Sequence, residues 1–192
     1  MKRSIIISIL FWLISLNNSF ANELTSDWDI YLSHIKPHLK HIKTIKDWEI
    51  YEREHKSKVT CHAATFPYRT RAFEGIRDMP YLMVTYKGPM QYSITVNPGF
   101  IVDRRDGLIL NVNGKSHVLS TKFPRIALTE SSTQDASIIN DIIKEEKIVS
   151  IRSYTINKET SLDYYSTKGF VEALRYMESN CGNFSPVAAT AH

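Results

Sequence analysis

Two cysteines, Cys61 and Cys181, are the residues with the most distinctive chemistry in this sequence. Two oxidised thiols form a disulfide, whereas a thiolate can bind a metal or act as a nucleophile. Redox and metal cysteines commonly follow a C-x-x-C spacing, which this pair lacks. His62 could activate the Cys61 thiolate, but adjacent strand residues point to opposite faces of a sheet. A disulfide is the leading interpretation, and a metal or redox pair and a cysteine nucleophile are the alternatives.

A second group of reactive side chains lies before residue 47. His34, His38 and His41 occur at i, i+4 and i+7, which on an unbroken helix would give a metal three imidazoles on one side. Pro37 would break or kink that helix, so we predict no metal site. Lysines of this stretch suit an anionic membrane surface or lipopolysaccharide: Lys36, Lys40, Lys43 and Lys46. A solvated helix packed on the domain is the alternative interpretation.

The remaining candidates do not form a catalytic motif. The sequence contains no nucleophile elbow, zinc-protease helix or phosphate-binding loop. Three arginines, Arg69, Arg71 and Arg77, could bind an anionic partner or lie in a solvated loop. His117 is predicted at the surface, and Tyr164 and Tyr165 are predicted to pack on a sheet face. We therefore predict no catalytic residue and no cofactor; a periplasmic hydrolase with an unrecognised site is the alternative.

Residues 1–21 resemble a signal peptide. Lys2 and Arg3 form a positive n-region, residues 5–16 are apolar, and Ser19 and Ala21 supply the small residues of a cleavage site. The apolar run is shorter than the ~20 residues that a membrane-spanning helix needs. We expect cleavage near Ala21-Asn22, no transmembrane segment in the mature chain, and a periplasmic protein, with secretion or surface association as the alternative. In such an oxidising compartment, two cysteines with none left over favour one disulfide.

Composition indicates an ordinary globular domain. The 192 residues are 43% hydrophobic and 23% charged, enough apolar material for one core. The chain has 24 basic and 20 acidic residues, a balance that argues against a nucleic-acid partner.

The pattern of elements changes near residue 47. Apolar residues of 26–46 recur every three or four positions, which predicts an amphipathic helix interrupted by Pro37. Short strands follow, at 48–53, 59–66, 80–86, 91–96, 108–112, 116–120, 126–128, 148–156 and 161–165, with 68–78 as a loop. Asn113-Gly114 marks a hairpin. Helices are predicted at 132–146 and, capped by Ser166 or Thr167, through Phe170, Leu174 and Met177 to Cys181.

These elements predict a mainly β fold. We expect an antiparallel β-sandwich or curved sheet, two covering helices near the C-terminus and an N-terminal helical extension. The predicted divisions are a signal peptide at 1–21, a basic amphipathic extension at 22–46, a β domain at 47–182 and a disordered tail at 183–192.

Six segments in order resemble a known family. They are DWEIY (47–51), TCHAATFP (60–67), MPYLMVT (79–85), ITVNPGF (94–100), SIINDIIKEEKI (137–148) and YSTKGFVEAL with its later cysteine (165–181). Together they resemble the invasion-associated locus B family of exported Gram-negative bacterial proteins. The resemblance implies a mostly β domain, periplasmic or surface-associated residence, no known enzymatic activity and a part in host-cell interaction. The segment before Asp47 departs from this pattern, and at 152–160 RSYTINKET replaces a more glycine-rich connection, so we expect a longer or stiffer hairpin there.

The sequence therefore predicts an exported, non-enzymatic binding domain of the bacterial envelope. Its partner is expected to be a protein or an envelope component, with peripheral contact to an anionic membrane as a further alternative.

Overall fold

One eleven-stranded antiparallel sheet dominates the computed structural model, which describes residues 39–55, 58–71, 73–145 and 148–181. The strands are β1 (Leu39–Ile45), β2 (Trp48–His55), β3 (Lys58–Thr65), β4 (Pro67–Arg71), β5 (Tyr81–Gly88), β6 (Gln91–Asn97), β7 (Leu108–Val112), β8 (Lys115–Phe123), β9 (Ile126–Leu128), β10 (Val149–Tyr154) and β11 (Thr160–Tyr165). The helices are α1 (Ser132–Glu145) and α2 (Phe170–Cys181). Apart from Leu39, these elements belong to one compact unit, which begins at Lys40.

The sheet curls into a half-barrel, so the predicted mainly β class is confirmed. Its strand order is β1-β2-β3-β5-β6-β9-β8-β7-β10-β11-β4, which leaves β1 and β4 at the two edges. The predicted Asn113-Gly114 hairpin joins β7 to β8, and both turn residues have positive φ, 48° and 87°. Such φ values match the twist of the flanking strands, which is why Asn-Gly is favoured there.

Both helices pack their apolar faces on the sheet and form one core with it. Strand residues of this core include Trp48, Ile50, Leu82, Ile94, Leu110 and Ile151, all buried. From the helices, Ile138 and Ile142 of α1 and Phe170, Leu174 and Met177 of α2 join the same cluster. The predicted stripe of α2 is therefore confirmed.

The predicted disulfide is present between Cys61 on β3 and Cys181, the last residue of α2. Their Cα atoms lie 6.1 Å apart, within the range that a disulfide spans. The bond closes a segment with a sequence separation of 120 residues. It fixes the end of the last helix to the third strand.

The helix predicted at 26–46 is wrong from Leu39 onward, because residues 39–45 form β1 and pair with β2. Leu39, Ile42 and Ile45 are half-buried at three-residue intervals, a spacing that imitates a helix although the backbone is extended. The N-terminal part of that prediction, together with the signal peptide and the tail, lies outside the described residues.

The loop predicted at 68–78 is also partly wrong, since Pro67–Arg71 form β4 against β11. The segment before β5, described from residue 73 to residue 80, is irregular and runs beside Gly99. The Asp78 amide donates to the Gly99 carbonyl at 2.9 Å, and a Cβ added to Gly99 would lie 2.0 Å from the Asp78 carbonyl oxygen. Gly99 also has a φ of 83°, so both its backbone and its surroundings require glycine.

Candidate functional site

A groove of about 830 Å³ lies between α1, α2 and the β5–β6 hairpin. This volume falls in the range of about 300–1,000 Å³ that is typical of ligand sites. Its floor is apolar, and each neighbouring element contributes to it: Ile94 from β6, Leu128 from β9, Ile139 from α1, and Val171 and Leu174 from α2. The groove is therefore an opening onto the same apolar layer that joins the helices to the sheet.

Two apolar side chains stand at the mouth of the groove. Met90, at the tip of the β5–β6 hairpin, is 87% exposed, and Ile143 on α1 is 38% exposed. A methionine adapts its flexible thioether to varied partners. Charges of both signs surround them: Lys87, Glu130, Arg175 and Glu178. An apolar floor with a mixed charged rim is the arrangement of a protein-binding site.

Tyr92 and Glu178 form a hydrogen-bonded pair across the groove. The Tyr92 hydroxyl donates to Glu178 Oε1 at 2.5 Å and joins β6 to α2. Burial, followed by the hydrogen bond to Glu178, raises the pKa of Tyr92 far above its usual range. A phenol that keeps its proton can donate a hydrogen bond but cannot serve as a base near neutral pH.

Asp135 is the buried carboxylate of the groove. It accepts hydrogen bonds from the Ile94 amide at 2.8 Å and from the Thr129 hydroxyl at 2.5 Å. One turn earlier, the Ser131 hydroxyl accepts a hydrogen bond from the Gln134 amide at 3.2 Å, as expected of the predicted N-cap. Asp135 therefore attaches the start of α1 to β6, which is a structural role.

The predicted lysine surface is divided by the structure, and Lys36 lies outside the described residues. Lys46 forms an ion pair with Glu172 of α2, and the Lys43 ammonium lies 5.2 Å from the centre of the Tyr176 ring. Lys40 is exposed on β1. Since a strand sends alternate side chains to opposite faces, Lys40 and Lys43 do not share the helical face that was expected. Contact with an anionic surface stays a prediction.

The histidines occupy separate places. His41 on β1 contacts Glu49 of β2, while His34 and His38 lie outside the described residues. His117 is buried rather than at the surface, and its Nε2 lies 3.0 Å from Asp141 of α1. His62 Nδ1 lies 2.9 Å from the Thr85 hydroxyl, next to a cysteine that is held in the disulfide. Within the described ranges, no three His, Cys, Asp or Glu residues cluster as a metal would require.

Arg77 was grouped with Arg69 and Arg71 by sequence, but the structure separates them. Its guanidinium reaches inward and donates to both carboxylate oxygens of Asp163, at 2.7 and 2.9 Å. Arg69 and Arg71 lie on β4, where they face the Tyr164 ring. Tyr165 is fully buried in the core. The two tyrosines that were predicted to pack on a sheet face, Tyr164 and Tyr165, therefore lie on opposite faces of the sheet.

Sequence reasoning missed the groove residues, because they come from three strands, two helices and the turns beside them, which meet only in the folded chain. The exposed Met90 beside the Gly88-Pro89 turn was the one local signal, since an apolar tip residue on a hairpin has no packing role of its own.

Comparison with solved structures identifies a similar fold. The crystal structure of invasion associated protein B from Bartonella henselae matches with a TM-score of 0.53 and 14% sequence identity, over 71% of this chain and 94% of that chain. The likeness shows the fold alone. No family model matches this sequence, and no curated protein matches it. The fold implied by the resemblance in the sequence is therefore confirmed, while family membership stays a prediction.

Among the described helices, none combines the length and apolar character that crossing a membrane requires.

Proposed function

We propose that this chain is an exported, non-enzymatic binding protein of the Gram-negative envelope, and that its groove binds an apolar segment of a protein partner. The observation that carries this proposal is the apolar groove floor, which opens between two helices with Met90 and Ile143 exposed at its mouth. Exposed apolar surface beside a concave site commonly marks an interaction site.

The polar groups of the groove support binding rather than catalysis. Asp135 is already engaged by a backbone amide and a hydroxyl, and Tyr92 retains its proton while it donates to Glu178. General acid–base catalysis needs a group whose pKa lies near the working pH. Neither Asp135 nor Tyr92 is therefore suited to act as a general base.

The rim favours a polypeptide over an anionic lipid as the occupant. Lys87 and Arg175 would attract a phosphate headgroup, but Glu130 and Glu178 on the same rim would repel it. A protein segment with an apolar centre and charges of both signs matches this rim without repulsion.

Two further observations support the exported setting. The signal-peptide pattern of residues 1–21 is one, and the disulfide, a bond typical of oxidising compartments, is the other. A part in host-cell interaction rests on the family resemblance and on the similar fold of the invasion associated protein. Periplasmic and cytoplasmic fractions of the native organism, probed for the processed chain, test the setting.

Site-specific photo-crosslinking tests the groove. A photoreactive side chain at Met90 is expected to crosslink a protein partner in the envelope fraction, and Ile143→Glu should abolish this product. Ile156→Glu is the matched control, because Ile156 is an exposed isoleucine on the turn after β10, outside the groove. Mapping the product should find an apolar partner segment. Equal losses with Ile143→Glu and Ile156→Glu, or a product that contains no protein, would overturn the proposal.

A further inference from the structure

The edge strand β4 carries two of the exposed arginines of the sheet. Within the part of the chain that the structure describes, β4 pairs with β11 alone. An edge strand has backbone N–H and C=O groups on one side that are available to another chain. A short, charged edge is a common protection against unwanted pairing, and the same features can select one kind of partner.

The two arginines are held in place by an aromatic ring. Arg69 is directly opposite Tyr164 in the sheet, and its guanidinium carbon lies 6.0 Å from the centre of that ring. The guanidinium carbon of Arg71 lies 5.7 Å from the same ring. Cation–π contacts at these distances orient a guanidinium while its N–H donors stay available.

Around these arginines, the same face of β4, β11 and β10 carries no carboxylate. Leu162 lies between Arg71 and Arg152 in the register, and Tyr164 lies between Arg69 and Ser150. Asp163, the only carboxylate of β11, is on the opposite face with Arg77. No carboxylate among the described residues forms an ion pair with Arg69, Arg71 or Arg152 within 4.0 Å.

We propose that β4 binds an extended acidic peptide segment as an added strand, with carboxylates at alternate positions opposite Arg69 and Arg71. Same-face residues of a strand are about 7 Å apart, and directly opposed Cβ atoms of paired strands are about 5 Å apart. Both sets of distances suit a Glu-x-Glu or Asp-x-Asp segment. The planar guanidinium can bind each carboxylate through two N–H groups.

Arg152 distinguishes the addition of a peptide strand at β4 from attraction to a flat anionic surface. It lies on β10, two strands from β4, so a strand added beyond β4 would be about 15 Å from it at the usual spacing. A membrane or lipopolysaccharide layer would instead engage all three arginines of the face. The peptide is favoured because Arg69 and Arg71 lie on the edge strand itself, whereas Arg152 lies on an inner strand.

Fluorescence anisotropy with a labelled synthetic peptide tests the proposal. The peptide carries two glutamates separated by one residue, among threonines and valines, and its control has glutamines instead. Arg69→Gln and Arg71→Gln are each expected to raise Kd about three- to fivefold, as for a cross-strand charge pair. Arg152→Gln removes the same charge from the same face and should change Kd less than about twofold.

Two N-methylated peptides test the backbone pairing. Methyl groups on one set of alternate amides should abolish binding, and methyl groups on the other set should leave it intact, because an added strand uses only one set. Equal effects of Arg71→Gln and Arg152→Gln, binding by both methylated peptides, or equal binding of the glutamine control would overturn the proposal. Phosphatidylglycerol vesicles that bind through all three arginines would identify a membrane surface instead.

This proposal is independent of the groove. Ile143→Glu should leave peptide binding unchanged, whereas Arg69→Gln should leave the Met90 crosslink unchanged, so the two sites can fail separately.

Discussion

At the scale of single residues, Asp103 shows how this protein uses buried charge. Its carboxylate contacts the Lys158 ammonium at 2.5 Å and the Arg105 guanidinium at 3.3 Å, and it accepts a hydrogen bond from the Arg105 amide at 2.9 Å. Lys158 also contacts Asp106. The Asp103 carboxylate thus connects the turn before β7 to the turn before β11. The backbones of the same two segments also pair, through a single antiparallel bridge between Val102 and Thr155.

This connection predicts a specific dependence of stability on pH. The hydrogen bond from Lys158, and then those from Arg105, hold the pKa of Asp103 below its usual value of 3.8. A carboxyl group with a lowered folded-state pKa stabilises the fold above its unfolded-state pKa, and this contribution is lost as the pH falls further. Asp103→Asn should therefore lower the free energy of unfolding at pH 7, and the difference from the native protein should shrink as the pH falls below 3.8.

Guanidinium chloride unfolding at a series of pH values measures this difference. Glu74→Gln, which alters an exposed carboxylate of the 73–80 loop, is the control and should show no such trend. A difference between Asp103→Asn and the native protein that is independent of pH would contradict the assignment.

At the scale of elements, the 73–80 loop depends on one buried ion pair. The side chains of Arg77 and Asp163 are 11% and 1% exposed, and Arg77 also donates to Ser161, Thr70 and the Pro98 carbonyl. Every partner lies on β4, on β11 or just after β6, so the guanidinium connects the loop to three separate places. The pair is a structural anchor, not an anion-binding site.

Removal of one partner of this pair should be costly. Arg77→Met is expected to lower the free energy of unfolding by about 3–5 kcal/mol, because it leaves the Asp163 carboxylate buried without its cation. Adding Asp163→Asn should recover part of this loss, since the unpaired charge is then gone. Denaturant titrations of both single variants and the double variant give the coupling free energy; additive losses would contradict the anchor.

The two mispredicted elements show where local sequence stops being sufficient. The β1–β2 hairpin turns through Lys46, which has a φ of 54°, so it lacks the glycine or asparagine that identifies most such turns. β4 has no apolar alternation, because it is an edge strand whose partner β11 is distant in the chain. By contrast, the Asn113-Gly114 turn and the apolar stripe of α2 are determined by the types of neighbouring residues in the chain. Both predictions are confirmed.

Long-range register also explains what the sequence could not reveal about the candidate sites. Arg69, Arg71 and Arg152 share a face only because β11 pairs with both β4 and β10. Tyr92 and Glu178 meet only because α2 packs beside β6. Neither set has a spacing in the chain that predicts it.

At the scale of the whole molecule, a curled open sheet needs something to hold its layers together. Among the residues that the structure describes, the sheet is not closed, since β1 and β4 remain edges, and the two helices pack within the curl. α2 enters through Gly169, where a Cβ would lie 2.4 Å from the Ile45 carbonyl oxygen, and ends at the disulfide. One helix is thus fixed at its start to the β1–β2 turn and at its end to β3.

The disulfide should therefore contribute much of the global stability. A closed loop of this size, 120 residues, restricts the unfolded chain by about 4–5 kcal/mol in the chain-entropy description. The Cys61→Ala, Cys181→Ala double variant is expected to have a free energy of unfolding lower by about 4–5 kcal/mol. Most of this loss should come from the greater conformational entropy of the unfolded chain without the bond. Guanidinium chloride unfolding of the native protein with and without reductant, beside the double variant, measures the loss. Reductant should have no effect on the double variant, which separates the bond from other actions of the reagent. A native protein that is equally stable when reduced would show that packing of Phe170, Leu174 and Met177 alone holds the last helix on the sheet.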